Sequence, residues 1–141
     1  MTCDEIRISC VRSWDTEEIV ALYRAGGWWK EEYDPAETPG LIRGSFAFAV
    51  AVDEKSGRAV GMGRVISDGV SDAYIQDLVV LPEYQKKGLG KALLLALLDA
   101  CRAAGISWIA LVAEPGSEPF YRALGFSPME GHIPLIYRGE P

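Results

Sequence analysis

The stretch LPEYQKKGLGKALLLALLDA, residues 81–100, joins two segments of different character. Residues 73–81 form an apolar run rich in β-formers, and the leucines that follow recur at helical spacing until Gly105, which predicts a helix over residues 88–104. Residues 106–112 are again apolar and have the length of a buried strand. This order predicts a right-handed crossover through a helix between two parallel strands.

The predicted helix begins with glycines and lysines, although glycine is a poor helix former. At a glycine-rich turn into a helix, unpaired backbone N–H groups point outward and the helix dipole adds positive charge. Gly88 and Gly90 remove Cβ atoms that would keep an anion away, and Lys86, Lys87 and Lys91 add mobile charge. The turn therefore suits a pyrophosphate. A helix start with solvated lysines and no ligand is the alternative.

Two familiar phosphate loops are excluded by single positions. The dinucleotide pattern G-x-G-x-x-G needs a third glycine where Leu93 stands, and the Walker pattern needs serine or threonine where Ala92 stands. The pattern that remains, Q-x-x-G-x-G over residues 85–90, follows a strand and a proline. It resembles the acetyl-CoA loop of the GNAT superfamily of N-acetyltransferases.

The resemblance rests on two stretches. YIQDLVVLPEYQKKGLGKALL, residues 74–94, is similar to the central strand, loop and helix of that superfamily, and EPFYRALGF, residues 118–126, is similar to its later A-x-x-F-Y-x-x-x-G-F signature. The motifs lie within residues 61–126, while the first 60 residues agree only in the order of elements. Within the superfamily, these stretches resemble small bacterial members and the plant serotonin N-acetyltransferase type.

The rest of the chain agrees with this fold. Residues 6–11 alternate as a strand does, a helix follows up to Gly26, and residues 46–52 and 59–66 predict an antiparallel hairpin. Residues 126–137 offer one or two final strands. The order β-α-(α)-β-β-β-α-β-α-β predicts an α/β fold, the GNAT fold, with a mixed sheet of six to seven strands and helices on both faces.

The composition narrows the class of protein and partner. At 141 residues, with 49% hydrophobic and 24% charged residues, the chain predicts one globular domain over residues 1–141. A net charge of -6 argues against nucleic-acid binding, and no apolar run approaches the roughly 18 residues of a membrane helix. The three scattered cysteines and one histidine predict neither a metal site nor a disulfide framework. Acids rather than basic residues follow the first Met, so we expect a cytoplasmic protein.

The resemblance implies acetyl-CoA as the co-substrate. In the superfamily the central strand splays away from its parallel neighbour, and its free backbone groups bind the pantetheine arm as another strand would. Here those groups would belong to Leu78, Val79 and Val80, and the loop amides would bind the pyrophosphate. The cofactor-binding residues implied in the loop are Gln85, Lys86, Lys87, Gly88, Leu89, Gly90 and Lys91.

Two residues are candidates for proton transfer. Tyr121 matches the superfamily's tyrosine that protonates the departing CoA thiolate, and a phenol with a pKa near 10 can serve a thiolate with a pKa near 8.5. Packing beside Phe120 is the alternative role. Asp77 is the candidate base, directly or through water, because an amine with a pKa of ~10.4 is mostly protonated at pH 7. A carboxylate in an apolar strand is costly unless paired or facing a cleft, so pairing with Arg64 or another basic group is the alternative.

The acceptor site is implied by the same resemblance, because the superfamily builds it from the early helices and the last strands. That places Trp28, Trp29 and Tyr33 in the site, with His132 and Tyr137 as further candidates. Aromatic walls would hold an aryl group, or a cation against a ring face, and packing is the alternative.

The sequence as a whole predicts an N-acetyltransferase, an acyltransferase that passes an acetyl group directly to a primary amine of a small molecule or protein. Direct attack is favoured because no Cys-His pair is evident, and Cys101 lies on the apolar helix. Glu114 stands where many superfamily members have an asparagine. The hydrogen bond that this asparagine usually makes near the cofactor is therefore in doubt here. A non-catalytic acyl-CoA-binding module and a transferase of another acyl group stay open, as does a homodimer.

Overall fold

The strands lie side by side in the order in which the chain makes them. The computed structural model describes residues 5–139, in two compact units, Met1–Ala110 and Leu111–Pro141. The strands, all in the first unit, are β1 (Ile6–Cys10), β2 (Ala47–Asp53), β3 (Arg58–Ser67), β4 (Asp72–Val80) and β5 (Trp108–Ala110). The sheet order is β1-β2-β3-β4-β5, with antiparallel pairs up to β4 and a parallel pair between β4 and β5.

The helices alternate with these strands much as the sequence predicts. They are α1 (Thr16–Ala25), α2 (Thr38–Gly44), α3 (Leu89–Ala103) and, in the second unit, α4 (Glu118–Arg122). Short 3₁₀ turns, Pro35–Glu37 and Pro82–Tyr84, precede α2 and follow β4. The predicted hairpin and the β4–α3–β5 crossover are both confirmed.

α1 is anchored at its first turn to the sheet. Asp15 caps the helix by accepting a hydrogen bond from the Glu18 amide at 3.1 Å. The Glu18 carboxylate in turn accepts from the Trp14 indole at 2.8 Å and from the Ala59 amide of β3 at 2.7 Å. The start of α1 is therefore fixed against β3.

Glycines in β3 let α3 approach the sheet closely. A Cβ atom at Gly61 would lie 3.0 Å from Leu93, and one at Gly63 would lie 2.9 Å from Leu97. Strand glycines commonly mark such close approaches. The buried face of α3 consists of Leu89, Leu93, Leu94, Leu97, Leu98 and Cys101.

α1 lies on the opposite face of the sheet. Gly63 faces α3, whereas the next residue, Arg64, bonds the Asp77 carboxylate together with the Tyr23 hydroxyl of α1. Helices therefore cover both faces, as predicted, and every residue of β2 is buried between them.

The strand count is five among residues 5–139, below the predicted six to seven. Residues 126–137, expected to form the last strands, are outside any strand. Pro128 and Pro134 cannot donate ladder hydrogen bonds, and Gly131 turns the chain with a φ of 74°. The predicted single domain over residues 1–141 stays a prediction.

Candidate active site

β4 leaves one edge open along most of its length. Its pairing with β5 covers only Asp72–Tyr74, and among residues 5–139 no other strand pairs with that edge beyond this point. On its other edge β4 stays paired with β3 as far as Val80. Residues 78–80, predicted to bind pantetheine, therefore lie where β4 has separated from its parallel neighbour. The Val80 carbonyl accepts a hydrogen bond from the Gln85 side chain at 3.0 Å, which ties the following loop to the strand.

Asp77 lies at a bulge of β4. The register shifts between Met62 and Arg64, so that one residue of β3 faces two of β4, Asp77 and Leu78. Asp77 has a φ of 60°, a left-handed conformation in which aspartate is among the few tolerated non-glycine residues. Such backbone costs roughly 1–3 kcal/mol and is found where the surrounding structure holds it.

The Asp77 carboxylate is held by two donors. Arg64 Nε lies 2.6 Å from Asp77 Oδ2, and the Tyr23 hydroxyl donates to the same oxygen at 2.7 Å. The Arg64 and Asp77 side chains are only 17% and 19% exposed. The pairing considered as an alternative role for Asp77 is thus present, and both hydrogen bonds end on Oδ2, so Asp77 Oδ1 carries neither.

Tyr23, a buried residue of α1, was not among the predicted site residues. Burial, followed by the charge of Asp77, raises the pKa of Tyr23 well above its ordinary value of 10.0. The hydroxyl therefore stays protonated and donates to Asp77. The sequence contains one chemical indication that Tyr23 belongs to a polar site, because a buried tyrosine hydroxyl needs a hydrogen-bond partner.

A cleft of about 800 Å³ brings four of the predicted residues together. Trp28, Trp29 and Tyr33, predicted for the acceptor, lie in its wall with Asp77, the predicted base. Their roles stay predictions, but their proximity is a property of the fold. The other lining residues are Tyr23, Asp34, Ala36, Glu37, Thr38, Gly40, Leu41, Arg43 and Arg64.

The two adjacent tryptophans pack against different partners. The Trp28 ring meets Tyr23 at 6.2 Å between centroids, and the Trp29 ring meets Tyr33 at 5.5 Å, both edge to face. Gly26 makes room for Trp28, because a Cβ atom there would lie 2.6 Å from the ring. The cleft therefore has an aromatic lining fixed by ring contacts.

The start of α3 has the geometry expected of an anion site. Lys86 and Gly88 are left-handed, with φ of 64° and 81°, and the space around a Cβ at Gly88 is open. No side chain of residues 5–139 caps the helix, and the first amide bonded within it belongs to Ala92. The amides of residues 89–91 thus have no partner within the helix. Lys86, Lys87 and Lys91 are exposed around them, so this donor set fits a pyrophosphate.

Tyr121 lies in the second unit, on α4. Its ring packs edge to face against Phe120 at 5.0 Å and Phe126 at 5.8 Å between centroids. Burial, followed by the charge of Glu114, raises the pKa of Tyr121 above its ordinary value of 10.0. The hydroxyl is therefore protonated at neutral pH, which is the state a proton donor needs.

His132 and Tyr137 are exposed, and His132 Nδ1 lies 2.8 Å from the Glu130 carbonyl. Cys101 is fully buried, and burial raises the pKa of its thiol.

Residues 5–139 contain no group of three or more histidine, cysteine or acidic side chains that could hold a metal ion. Every helix within the same range is too short or too polar to span a membrane.

Comparison with known proteins finds relatives that match different lengths of this chain. Uncharacterized N-acetyltransferase ycf52 of Porphyra purpurea is 32% identical over 122 residues, which is 86% of this chain and 70% of that protein. Serotonin N-acetyltransferase 2, chloroplastic, of Oryza sativa subsp. japonica is 43% identical over 77 residues, 55% of this chain and 38% of that protein. The chain thus spans less than half the length of the rice relative. An acetyltransferase of Streptococcus pneumoniae TIGR4 described as a GNAT family protein superposes with a TM-score of 0.80 at 27% identity, covering 96% of this chain and 99% of that one.

The model of the Acetyltransferase (GNAT) family matches residues 9–126, which is most of the chain. The match includes both stretches on which the resemblance rested, and it confirms that prediction. With the fold and the open β4 edge in agreement, this chain belongs to the GNAT family of acetyltransferases.

Proposed function

We propose that this chain transfers the acetyl group of acetyl-CoA to the primary amine of a small aromatic molecule, which attacks the thioester directly. The observation that carries the proposal is the position of Asp77. It lines the aromatic cleft and, on the same strand, immediately precedes residues 78–80 on the open edge of β4. A base in the acceptor cleft would thus adjoin the backbone that binds the pantetheine arm.

Acetyl-CoA supplies an activated thioester carbonyl when bound. The amides of residues 89–91 and the exposed lysines at the start of α3 would hold its pyrophosphate, because they combine unpaired donors with positive charge. The backbone of Leu78, Val79 and Val80 would hold the pantetheine arm, with the Val80 carbonyl shared with the Gln85 side chain.

The acceptor amine meets a fixed carboxylate in the cleft. A primary amine with a pKa of ~10.4 arrives mainly as the ammonium ion, which a carboxylate attracts. Arg64 and Tyr23 hold the Asp77 carboxylate in place by bonding Oδ2. Asp77 Oδ1 would accept the ammonium proton, directly or through water, and leave a neutral nucleophile.

The aromatic side chains indicate a ring on the acceptor. Tyr23, Trp28, Trp29 and Tyr33 give the cleft faces and edges against which an aryl group would stack. The rice relative is named a serotonin N-acetyltransferase, and serotonin is an arylalkylamine. That name supports an aryl group joined to a primary amine as the acceptor class.

Tyr121 would donate a proton to the departing thiolate, since its raised pKa keeps the hydroxyl protonated. The cytoplasmic location and the homodimer stay predictions from the sequence.

The test is a thiol-release assay with acetyl-CoA and a panel of acceptors. Tryptamine, phenethylamine, spermidine, lysine and a peptide N-terminus are compared at equal concentration. Tryptamine and phenethylamine should give the highest kcat/KM, and N,N-dimethyltryptamine, which cannot form a stable amide, should give none. Saturable acetyl-CoA binding with no release for any amine would instead support a non-catalytic module. Faster release from propionyl-CoA than from acetyl-CoA would point to another acyl group.

A further inference from the structure

Asp53 is a buried carboxylate that the proposed reaction does not use. It ends β2 and is 3% exposed, and no other acidic side chain of residues 5–139 is buried to this degree. A buried charge is costly unless hydrogen-bonded. Asp53 Oδ1 accepts from the Lys55 amide at 3.0 Å, within its own turn, and Oδ2 accepts from the Tyr84 hydroxyl at 2.7 Å. The second bond joins residues 31 positions apart.

Tyr84 stands at the entrance to the cofactor loop. It is the last residue of the 3₁₀ turn after β4 and directly precedes Gln85. Its ring lies 5.5 Å from Lys87 Nζ, within range of a cation–π contact. Two neighbouring residues thus fasten the loop at its start, Tyr84 to Asp53 and Gln85 to the Val80 carbonyl.

The Asp53–Tyr84 bond has the character of a charge-assisted hydrogen bond. The hydrogen bond from Tyr84 lowers the pKa of Asp53, and the same bond raises the pKa of Tyr84. At neutral pH the acceptor is therefore ionised and the donor protonated, which is the stronger combination.

We propose that the Asp53–Tyr84 hydrogen bond positions the cofactor loop, residues 85–91, for the pyrophosphate of CoA. The inference rests on the proposed function, since it assumes that this loop binds CoA. The left-handed backbone of Lys86 gives the loop a conformation that the chain does not favour by itself. When a binding-competent conformation is only partly populated, the apparent affinity falls by that fraction. Tyr84 and Asp53 are positioning residues, which act through the loop amides.

The test distinguishes binding of the pyrophosphate of CoA from binding of its pantetheine arm. Tyr84→Phe keeps the ring beneath Lys87 and removes only the hydroxyl. Isothermal titration calorimetry measures the Kd for CoA and for pantetheine, which lacks the pyrophosphate. We expect the Kd for CoA to rise about 10-fold, as for loss of a hydrogen bond to a charged group, and the Kd for pantetheine to stay unchanged. The kcat/KM ratio of acetyl-CoA to S-acetylpantetheine should fall by the same factor.

Two further variants control the result. Tyr74→Phe alters a half-exposed tyrosine of β4 that packs on Trp108, and it should leave both Kd values unchanged. Asp53→Asn keeps a side-chain acceptor but removes the charge, and it should show the same split between CoA and pantetheine if Tyr84→Phe does not fold. The double variant should bind CoA no more weakly than Tyr84→Phe alone, because both changes act on the same hydrogen bond.

An equal increase in the Kd for CoA and in the Kd for pantetheine would mean that the Asp53–Tyr84 bond serves general stability, and it would overturn the inference. An unchanged Kd for both ligands would overturn it as well. A wild-type chain that binds no CoA would overturn the proposed function and this inference with it. Wild-type binding together with an unaffected Tyr84→Phe variant would overturn the inference alone.

Discussion

Asp77 combines a strained backbone, a charged side chain and a position in the wall of the cleft. It is left-handed within a strand, its carboxylate bonds Arg64 and Tyr23 through one oxygen, and it lines the aromatic cleft. An ion pair alone would explain the charge, and it would not require the bulge. Strained backbone of this kind is concentrated at functional sites, where it fixes a side-chain direction.

The proton-acceptor role predicts a selective defect in Asp77→Asn. Asparagine tolerates the left-handed backbone and can still accept from Tyr23 or Arg64, so the fold should survive. We expect kcat/KM for the amine to fall about 100-fold, the lower end of general acid–base contributions, with the Kd for CoA unchanged. Steady-state kinetics and calorimetry measure the two quantities. Asp72→Asn, an exposed acid on the same strand, is the control, and wild-type kinetics in Asp77→Asn would exclude Asp77 as the base.

Tyr121→Phe tests the proton donor. Phenylalanine keeps the ring contacts with Phe120 and Phe126, so stability should change little. Loss of the donor should reduce kcat about 100-fold. Because the folded pKa of Tyr121 is raised, the phenol keeps its proton at neutral and mildly alkaline pH and loses it only above its ordinary value of 10.0. The wild-type pH–rate profile should therefore show no loss from this group between pH 7 and about pH 9.5, and unchanged turnover in the variant would remove Tyr121 from the mechanism.

At this scale the sequence identified Asp77, and Arg64 as its candidate ion-pair partner, but not Tyr23. A carboxylate in an apolar strand is conspicuous, whereas Tyr23 occupies a helical position that any large apolar residue could fill. The bulge depends on the pairing of β3 with β4, two strands separated by a turn, and single-strand periodicity does not contain that information.

Among the elements, the start of α3 is the proposed site of the CoA pyrophosphate. Gly88 is the N-cap residue, left-handed and open to solvent, and the amides after it have no side-chain cap among residues 5–139. This element was read correctly from its sequence, because glycine placement and the leucine period act locally. The three-residue β5 is shorter than the predicted strand over residues 106–112, because its ends depend on contacts that periodicity does not report.

Gly88→Ala should separate binding from stability. A left-handed alanine costs roughly 1–2 kcal/mol, and it places a methyl group where the pyrophosphate would approach. Gly105→Ala at the other end of α3 is a matched control, with a φ of 79° and equally open surroundings. Thermal unfolding should show similar losses of Tm for both variants. Calorimetry should show the Kd for CoA rising about 10-fold only in Gly88→Ala, because only there does the added methyl group meet the pyrophosphate; this rise corresponds to about 1.4 kcal/mol. Equal Kd values would contradict a pyrophosphate site at this helix start.

For the whole molecule, the order of elements was predictable because each strand and helix carries its own periodicity and turn residues. The mixed sheet and the helices on both faces follow from that order. The cleft did not follow, because Trp28, Trp29 and Tyr33 reach Asp77 only through the packing of α1 on the sheet and of α2 against α1. Family membership therefore accounts for CoA chemistry, while the proposed acceptor class rests on the side chains of this cleft.

The most direct measurement of the central claim is the product formed from acetyl-CoA and tryptamine. Purified protein is incubated with both, and the mixture is examined by mass spectrometry with parallel titration of free thiol. We predict N-acetyltryptamine and one equivalent of free CoA for each product molecule, at a rate that saturates in both substrates. Release of CoA without acetylated amine, or no release with any aromatic primary amine, would contradict the account.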